Sequence, residues 1–546
     1  MSKKEKLTTG EILLDIIDYS AVLFRDPAGL AWARINGECH PVRSTTFRRH
    51  IQRKFYHLEG KAPHTQAVQE AIEQAEGKAL FEGRFTKKVH VRNAYQEGKI
   101  FIDLGDEDKT IAEVTEGGYN NLTTEATYFH RPSGLEALPI PKQGQIEDLK
   151  RFLNYESEGD FKLLIAWMLA ALNPDIACPI LILQGEQGSA KSTTSKIIRA
   201  LTDPNTAPIR TAPRDERELI IQGENARVIC LDNLSGVKSW LSDALCRICT
   251  GGGFSARKLY TDSEEKIFQI RRPIILNGID DIATRGDLLD RAIVLSLPAI
   301  PQGKRKDEST FWNEFEQAKP GIFGALLVGL CHGLKYQDEI KLNRLPRMAD
   351  FARWVQAATK AYAWNDVVSL YFNNRNNAVE TGLDSDILAS AIRKIVANTS
   401  EYRNTATHLI EKIKEVSPDT NERYLPTTRT LKSRLTRLSP ALRQIGITWD
   451  RIHTENGNEY FIKKSPLNAS EDSEDSEINK NNGLDTEGAL KEHEATPGKA
   501  SGQKHALMPV NGNPEGTEAS EAIEQQLFNK EMARLEGYPV EDETPF

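Results

Sequence analysis

The chain lacks any apolar run long enough to span a bilayer. Its longest, LLIAWMLAAL at 163–172, falls short of the ~20 residues such a helix needs, so a buried helix is expected there. The opening MSKKEKLTTGEILLDIIDYS carries charge but no apolar core followed by a cleavage site. A cytoplasmic protein with no membrane partner is the expectation. Cysteine is scarce, with six in 546 residues, and only Cys246 and Cys249 are spaced C-x-x-C. No second pair or nearby histidine completes a zinc set. Those two read as small core residues of a helix, and a reducing compartment fits them. No internal repeat is visible.

What is present is ordinary for a folded protein, with 39% hydrophobic and 27% charged residues and length for several domains. The charge is uneven. Residues 465–546 hold 18 acids against 6 Lys and Arg, a net of −12, so the chain total of −8 leaves residues 1–464 at +4. This tail opens NASEDSEDSEINKNNG, lacks apolar periodicity and is expected to be disordered. Within it Ile523, Leu527, Met532 and Leu535 could line one face of a short helix that docks a replication partner. The first 145 residues mix helical stretches (STTFRRHIQRKFY, HTQAVQEAIEQAEGKALF) with β-type runs (KVHVRNA, KIFIDL, TIAEVTE), which reads as a mixed α/β domain. Pro139 and Pro141 mark a boundary near 145. A helical collar or linker over 146–177, a core over 178–300 and a helical segment over 301–380 follow.

The core holds the informative stretch, GEQGSAKSTT, Gly185 to Thr194. It matches the phosphate-loop pattern of Gly, four residues, Gly, Lys, Ser or Thr except at Ala190, which stands at the second glycine. CPILILQ before it suits a central parallel strand, and TTSKIIRALTD after it has helical spacing. In that order the loop amides from Gly185 through Gly188, Ser189 and Ala190 to Thr193 would surround the phosphates of ATP. Lys191 would reach the β and γ groups and Ser192 would ligate Mg2+. Ala190 is expected to enter the helix, where alanine is favourable, and is tolerated there if its φ is negative.

Two further strands support this. ARVICLDN delivers Asp232, the place of a magnesium-linked carboxylate, and RRPIILNG delivers Asn277, able to orient an attacking water. The intervals of 41 and 45 positions permit successive strands of one α/β core. Between them CTGGGFSARKLYT and EKIFQI can pair as a hairpin bearing Arg257 and Lys258, and TRGDLLDRAIVLSLP sets Arg285 and Arg291 before another apolar strand.

The set GEQGSAKST, VICLDN, CTGGGFSARKLYTD, PIILNG and DLLDRAIVLSLP resembles the superfamily 3 helicase module of the phage and plasmid primase-helicase (D5-like) group, over about residues 178–300. The resemblance implies a P-loop AAA+ core with Lys191, Asp232, Asn277 and Arg291 catalytic. It puts Arg257 and Lys258 on a DNA-contacting hairpin in a ring's channel, and Arg291 where an arginine finger reaches the neighbouring subunit, hence a homo-hexamer. The family's second motif usually ends in another acid. Here Asn233 follows Asp232 and cannot act as a base, so slowed hydrolysis is expected, with Asp232 in both duties or Glu186 assisting.

Over 381–464 three helical segments and a hairpin about Asn456-Gly457 suggest a winged helix. The third helix carries Arg429, Lys432, Arg434, Arg437 and Arg443, with no acid between Glu422 and Asp450, and is expected to contact DNA phosphates. At the other end, IFIDLGDED with Asp103, Asp106 and Asp108, and His90 upstream, could be a primase metal site or a solvated acidic turn. The reading overall is an ATP-dependent ring DNA helicase replicating a phage, plasmid or other mobile element. The alternatives are an ATP-gated DNA-binding switch with little hydrolysis and a primase-polymerase fused to the ATPase.

Overall fold

The computed structural model of the protein describes residues 7–82, 85–123, 127–257, 265–278, 285–301, 303, 307–418, 425–454 and 457–465, all within one compact unit, Met1–Ala469. The first helix, α1 (Thr9–Ser20), starts at a capping box in which Thr8 and Glu11 satisfy each other's backbone amides. An antiparallel sheet β1-β2-β3 follows, from β1 (Val22–Arg25), β2 (Ala31–Ile35) and β3 (Glu38–Pro41). Helices α2 (Thr45–Glu59) and α3 (Thr65–Gly77) close over it. In α2 the residues Phe47, Ile51 and Phe55 recur every four positions, so one face packs with Leu13, Ile17, Val68 and Ile72 in a separate core.

A second antiparallel sheet, in the order β4-β5-β6-β7, comprises β4 (Asn93–Gln96), β5 (Lys99–Asp103), β6 (Ile111–Thr115) and β7 (Gly118–Leu122). Of the expected strand KVHVRNA only the end pairs regularly, with His90 in an isolated bridge to Phe129. Ile100, Ile102, Ala112 and Val114 alternate onto one face, and that face is buried with α4 (Glu158–Leu172) and α9 (Glu308–Tyr336). The core thus runs across position 145. The connecting segment is fastened to α9: the Lys142 N–H donates to the Pro320 carbonyl at 2.9 Å. The Lys142 carbonyl fills the space where any side chain at Gly324 would lie.

Helix α4 contains the apolar run and buries all of its residues from Leu163 to Leu172, as a helix apolar on every side must. It backs a parallel sheet in the order β13-β8-β12-β9, formed by β8 (Ile180–Gln184), β9 (Ile229–Leu234), β12 (Ile274–Gly278) and β13 (Ala292–Ser296). Leu181, Leu183, Ile275 and Ile293 face the core of α4 and α5 (Lys191–Thr202). Ile180, Ile182, Ile274 and Leu276 face α6 (Glu216–Glu224) and α7 (Ser239–Thr250). Both faces are covered, which is why these strands read as unbroken apolar runs. Cys246 and Cys249 lie buried in α7, and burial pushes their thiols up to about 11 and about 12.

The hairpin expected between β9 and β12 is present as β10 (Gly253–Arg257) paired antiparallel with β11 (Glu265–Gln269), Arg257 opposite Glu265. A short α8 (Gly286–Leu289) leads into β13. Helices α10 (Ala349–Ala358) and α11 (Val367–Ser385) follow α9, then α12 (Ile387–Thr399), β14 (Glu401–Thr405), α13 (Ala406–Val416), α14 (Leu431–Gln444), β15 (Ile447–Thr454) and β16 (Gly457–Lys464). The last three strands form a sheet β14-β16-β15 over a core that includes Leu388, Ile392, Leu409, Leu431 and Leu435.

Candidate functional site

The stretch 185–192 leaves β8 and enters α5 at the carboxyl end of the parallel sheet, where open α/β sheets place their ligands. Gly185 has φ +147, and a side chain there would collide with the Leu297 carbonyl, so glycine is required. Ala190 departs from expectation. It does not enter the helix but caps it, in the left-handed conformation with φ 63 and ψ 27. An L-residue with a Cβ pays roughly 1–2 kcal/mol there, and the glycine of the usual pattern would not. The turn holds because the Ala190 carbonyl accepts the first helical bond, from Thr194 N–H at 2.8 Å. The amides that open α5 have no partner further along the helix and carry the positive end of its dipole.

The Lys191 ammonium folds back over this loop, donating to the carbonyls of Gly185 at 2.6 Å and Glu186 at 2.8 Å and approaching Ser189 Oγ at 3.4 Å. Ser192 points the other way, its hydroxyl donating to Asp232 Oδ1 at 3.0 Å. Two residues 40 apart in sequence thus meet at the strand ends. Their approach depends on an irregularity in β9. Pairing shifts between Leu276 and Gly278, so that Asp232 and Asn233 together oppose Asn277. Such a bulge re-aims side chains beside active sites. Asn233, at φ 56, takes the left-handed conformation that asparagine tolerates better than most.

Asn277 is buried, with a bond at each end of its amide. Its Oδ1 accepts from Asn233 N–H at 2.9 Å and its Nδ2 donates to Ser195 Oγ at 3.1 Å. It therefore binds the bulge to α5. A brace that the motifs did not reveal is Asn154, whose Nδ2 donates to the Ser189 carbonyl at 2.9 Å and the Pro298 carbonyl at 2.7 Å. A lone asparagine 35 positions before Ser189 gives no signal in the sequence.

The donor set suits magnesium. One hydroxyl and one carboxylate with open surroundings are what that ion uses when phosphate and water complete its shell. Among the described residues no group of three His, Cys, Asp or Glu gathers as a protein-only metal cage.

Other expected residues lie elsewhere. Arg291 precedes β13 at the opposite, amino end of the sheet, its carbonyl accepting from Ile180 N–H and its Nη1 donating to the Asp287 carbonyl at 2.7 Å. Arg285 is held by Asp243 at 2.7 Å and Asp287 at 3.1 Å. The Arg257 side chain and the whole of Lys258 lie outside the described residues, as do Asn456, the stretch 466–546 and its expected helix. On α14 Leu431, Leu435 and Leu442 are buried, while Lys432, Arg437 and Arg443 are exposed, as is Arg429 just ahead of the helix. Arg434 is half-buried and faces Asp386 at 3.7 Å.

The acidic cluster near residue 103 is occupied by its own neighbours. Asp103 is buried, and Arg131 grips both its oxygens at 2.6 and 2.9 Å. Asp106 Oδ1 accepts from Thr110 N–H at 2.7 Å, closing a turn. His90 is half-buried, and desolvation, with Lys88, Arg272 and Arg227 nearby, lowers its pKa to about 4.

Residues 146–372 match the family described as the actinomycete integrative conjugative element replication protein, and residues 388–473 match the C-terminal domain of that RepA family. No curated protein matches the chain. Two solved structures align at 11% identity: the apo C-terminal region of NrS-1, over 83% of this chain and 99% of that one with a TM-score of 0.39, and an active helicase, Cch of SCCmec type IV, over 82% and 93% with a TM-score of 0.41. No described helix is long and apolar enough to cross a membrane.

Proposed function

We propose that this chain, a mobile-element replication protein by its match to both parts of the RepA family, is an ATP-dependent DNA helicase that works as a homo-hexameric ring. The observation that carries the reading is the meeting of Ser192 and Asp232 at 3.0 Å beside the loop that Lys191 closes. On this reading the triphosphate lies along the loop from Gly185 to Thr193 and against the first amides of α5. Lys191 gives up the carbonyls of Gly185 and Glu186 for phosphate oxygens, which are stronger acceptors for an ammonium. Ser192 and Asp232 would hold Mg2+, which would supply charge neutralisation at the phosphates. Asn277 acts through the bulge, keeping Asp232 aimed and Asn233 in place.

Arg291 would exchange its own Asp287 carbonyl for a neighbouring subunit's nucleotide. Arg257 and Lys258 would carry the strand through the ring, while α14 with Arg429, Lys432 and Arg437 holds duplex or fork. The order α12-β14-α13-α14-β15-β16, with the hairpin paired to β14, supports a winged helix for this end. The test is strand displacement on forked DNA. Wild type unwinds with ATP, and Lys191→Ala does not; unwinding by Lys191→Ala equal to wild type sinks the reading.

One observation favours a second reading, an ATP-gated switch with slow turnover. Asn233 is no acid, and the Asn277 amide, itself no base, already bonds Asn233 N–H and Ser195, so neither of these two described neighbours supplies a base beside Asp232. The two readings part on turnover number under saturating ATP. A primase-polymerase would need Asp103 released from Arg131; nucleotide incorporation abolished by Asp103→Ala is the result that would favour it.

A further inference from the structure

Helix α2 carries a charge pattern that neither the phosphate loop nor α14 employs. Between Glu38 and Glu59 there is no carboxylate, yet this interval holds Arg43, Arg48, Arg49, Arg53 and Lys54. Because Phe47, Ile51 and Phe55 point into the core of α1–α3, the 100° step of a helix turns the opposite side to solvent. That side presents Thr46, Arg49, Arg53, Tyr56 and His57, all exposed.

Only two of these five cations are consumed internally. Arg43 is spent on Glu76 at 2.7 Å and Arg48 on Gln69 at 3.1 Å. Among the described residues Arg49, Arg53 and Lys54 enter no ion pair, and Arg53 Nε has only the imidazole of His57, at 3.4 Å. Nor does the helix benefit. Its first turn has no acid, so Arg48 and Arg49 oppose the positive end of its dipole. Arg49 and Arg53 repel one another one turn apart. A bound polyanion would relieve both.

We propose that this face of α2 is a second DNA-contacting surface, holding the phosphodiester backbone through Arg49 and Arg53 with Tyr56 beside them to stack on an unpaired base. Tyr56 is 56% exposed, and stacking on such a ring is tolerant of sequence. The surface precedes residue 146 and so lies outside both family matches. It rests on the reading that the protein acts on DNA, but not on α14 being the place of contact.

The experiment measures anisotropy of a fluorescein-labelled oligonucleotide, single-stranded and forked, against the full chain over a salt series. Arg49→Ala/Arg53→Ala is compared with wild type, and again in a background of Arg429→Ala/Lys432→Ala/Arg437→Ala. Removing two phosphate contacts is expected to weaken binding on every sequence alike and to reduce the log–log salt slope by about two, in both backgrounds. DNA-free ATP turnover, unchanged, shows that the variant is folded. Unchanged affinity and slope overturn the α2 assignment, while a loss in the α14 variant alone leaves the DNA reading standing. If wild type binds neither oligonucleotide, both fail together. Loss of poly-glutamate binding with DNA binding intact identifies an acidic protein partner instead and also overturns the proposal.

Discussion

Two non-glycine residues in the left-handed conformation flank the candidate site, Ala190 at the loop and Asn233 at the strand bulge, and they are unequally suited to it. Asparagine visits that region readily because its short polar side chain can bond locally. Alanine has no such help. At the bulge, sequence and backbone agree. At the loop a left-handed backbone is imposed on a residue that resists it. The loop is held by Asn154 on Ser189 and by the first bond of α5, with the Leu297 carbonyl filling the space where a side chain at Gly185 would lie. Strain that persists where the surroundings over-determine it is a mark of functional turns, and the contrast gives a way to separate geometry from chemistry.

The largest effect expected is chemical. Asp232→Asn keeps the bulge and the Ser192 contact in shape but removes the charge, and should lower ATP turnover about 10²–10³-fold with binding retained; titration calorimetry beside steady-state kinetics checks this. A β-branched residue sharpens the loop side. Ala190→Val, worse still at positive φ, should lose about 2 kcal/mol or more of stability and weaken ATP binding, read by thermal melts with and without nucleotide. At the bulge, Asn233→Asp should melt within about 0.5 kcal/mol of wild type, while Asn233→Glu, the substitution that would restore a second acid, should cost about 1 kcal/mol for its left-handed backbone. Equal losses from the two would break the comparison. The smallest effect belongs to Ala190→Gly. Relief of strain, offset by about 0.5–1 kcal/mol of added unfolded-state freedom, should leave stability equal or slightly raised and ATP turnover intact.

How much of this was legible in the residues follows from what each signal encodes. LLIAWMLAAL announced a buried helix because its apolar residues run on every side. The strands leading to Gly185, Asp232 and Asn277 announced themselves because a sheet covered on both faces keeps its strands apolar until their carboxyl ends. The strand β14 did not, since EYRNT is an edge strand with no fully buried residue, recognisable only through its pairing with β16. The left-handed cap at Ala190 is not legible locally, because alanine's helix preference points towards the helix interior rather than a cap. The bulge that aims Asp232 arises from a pairing shift with β12, a contact made 44 residues away, and no local pattern carries it. Likewise IFIDLGDED reads equally as a metal site or a solvated acidic turn, and the contact that buries Asp103 comes from Arg131, 28 positions on, which no local pattern carries.

The most direct test of the central claim, that GEQGSAKSTT binds and cleaves ATP with alanine at its cap, is ATP hydrolysis measured with and without single-stranded or forked DNA for wild type and Lys191→Ala. The account predicts turnover that DNA stimulates and that Lys191→Ala removes. A wild-type rate indistinguishable from that of Lys191→Ala, with and without DNA, would contradict it.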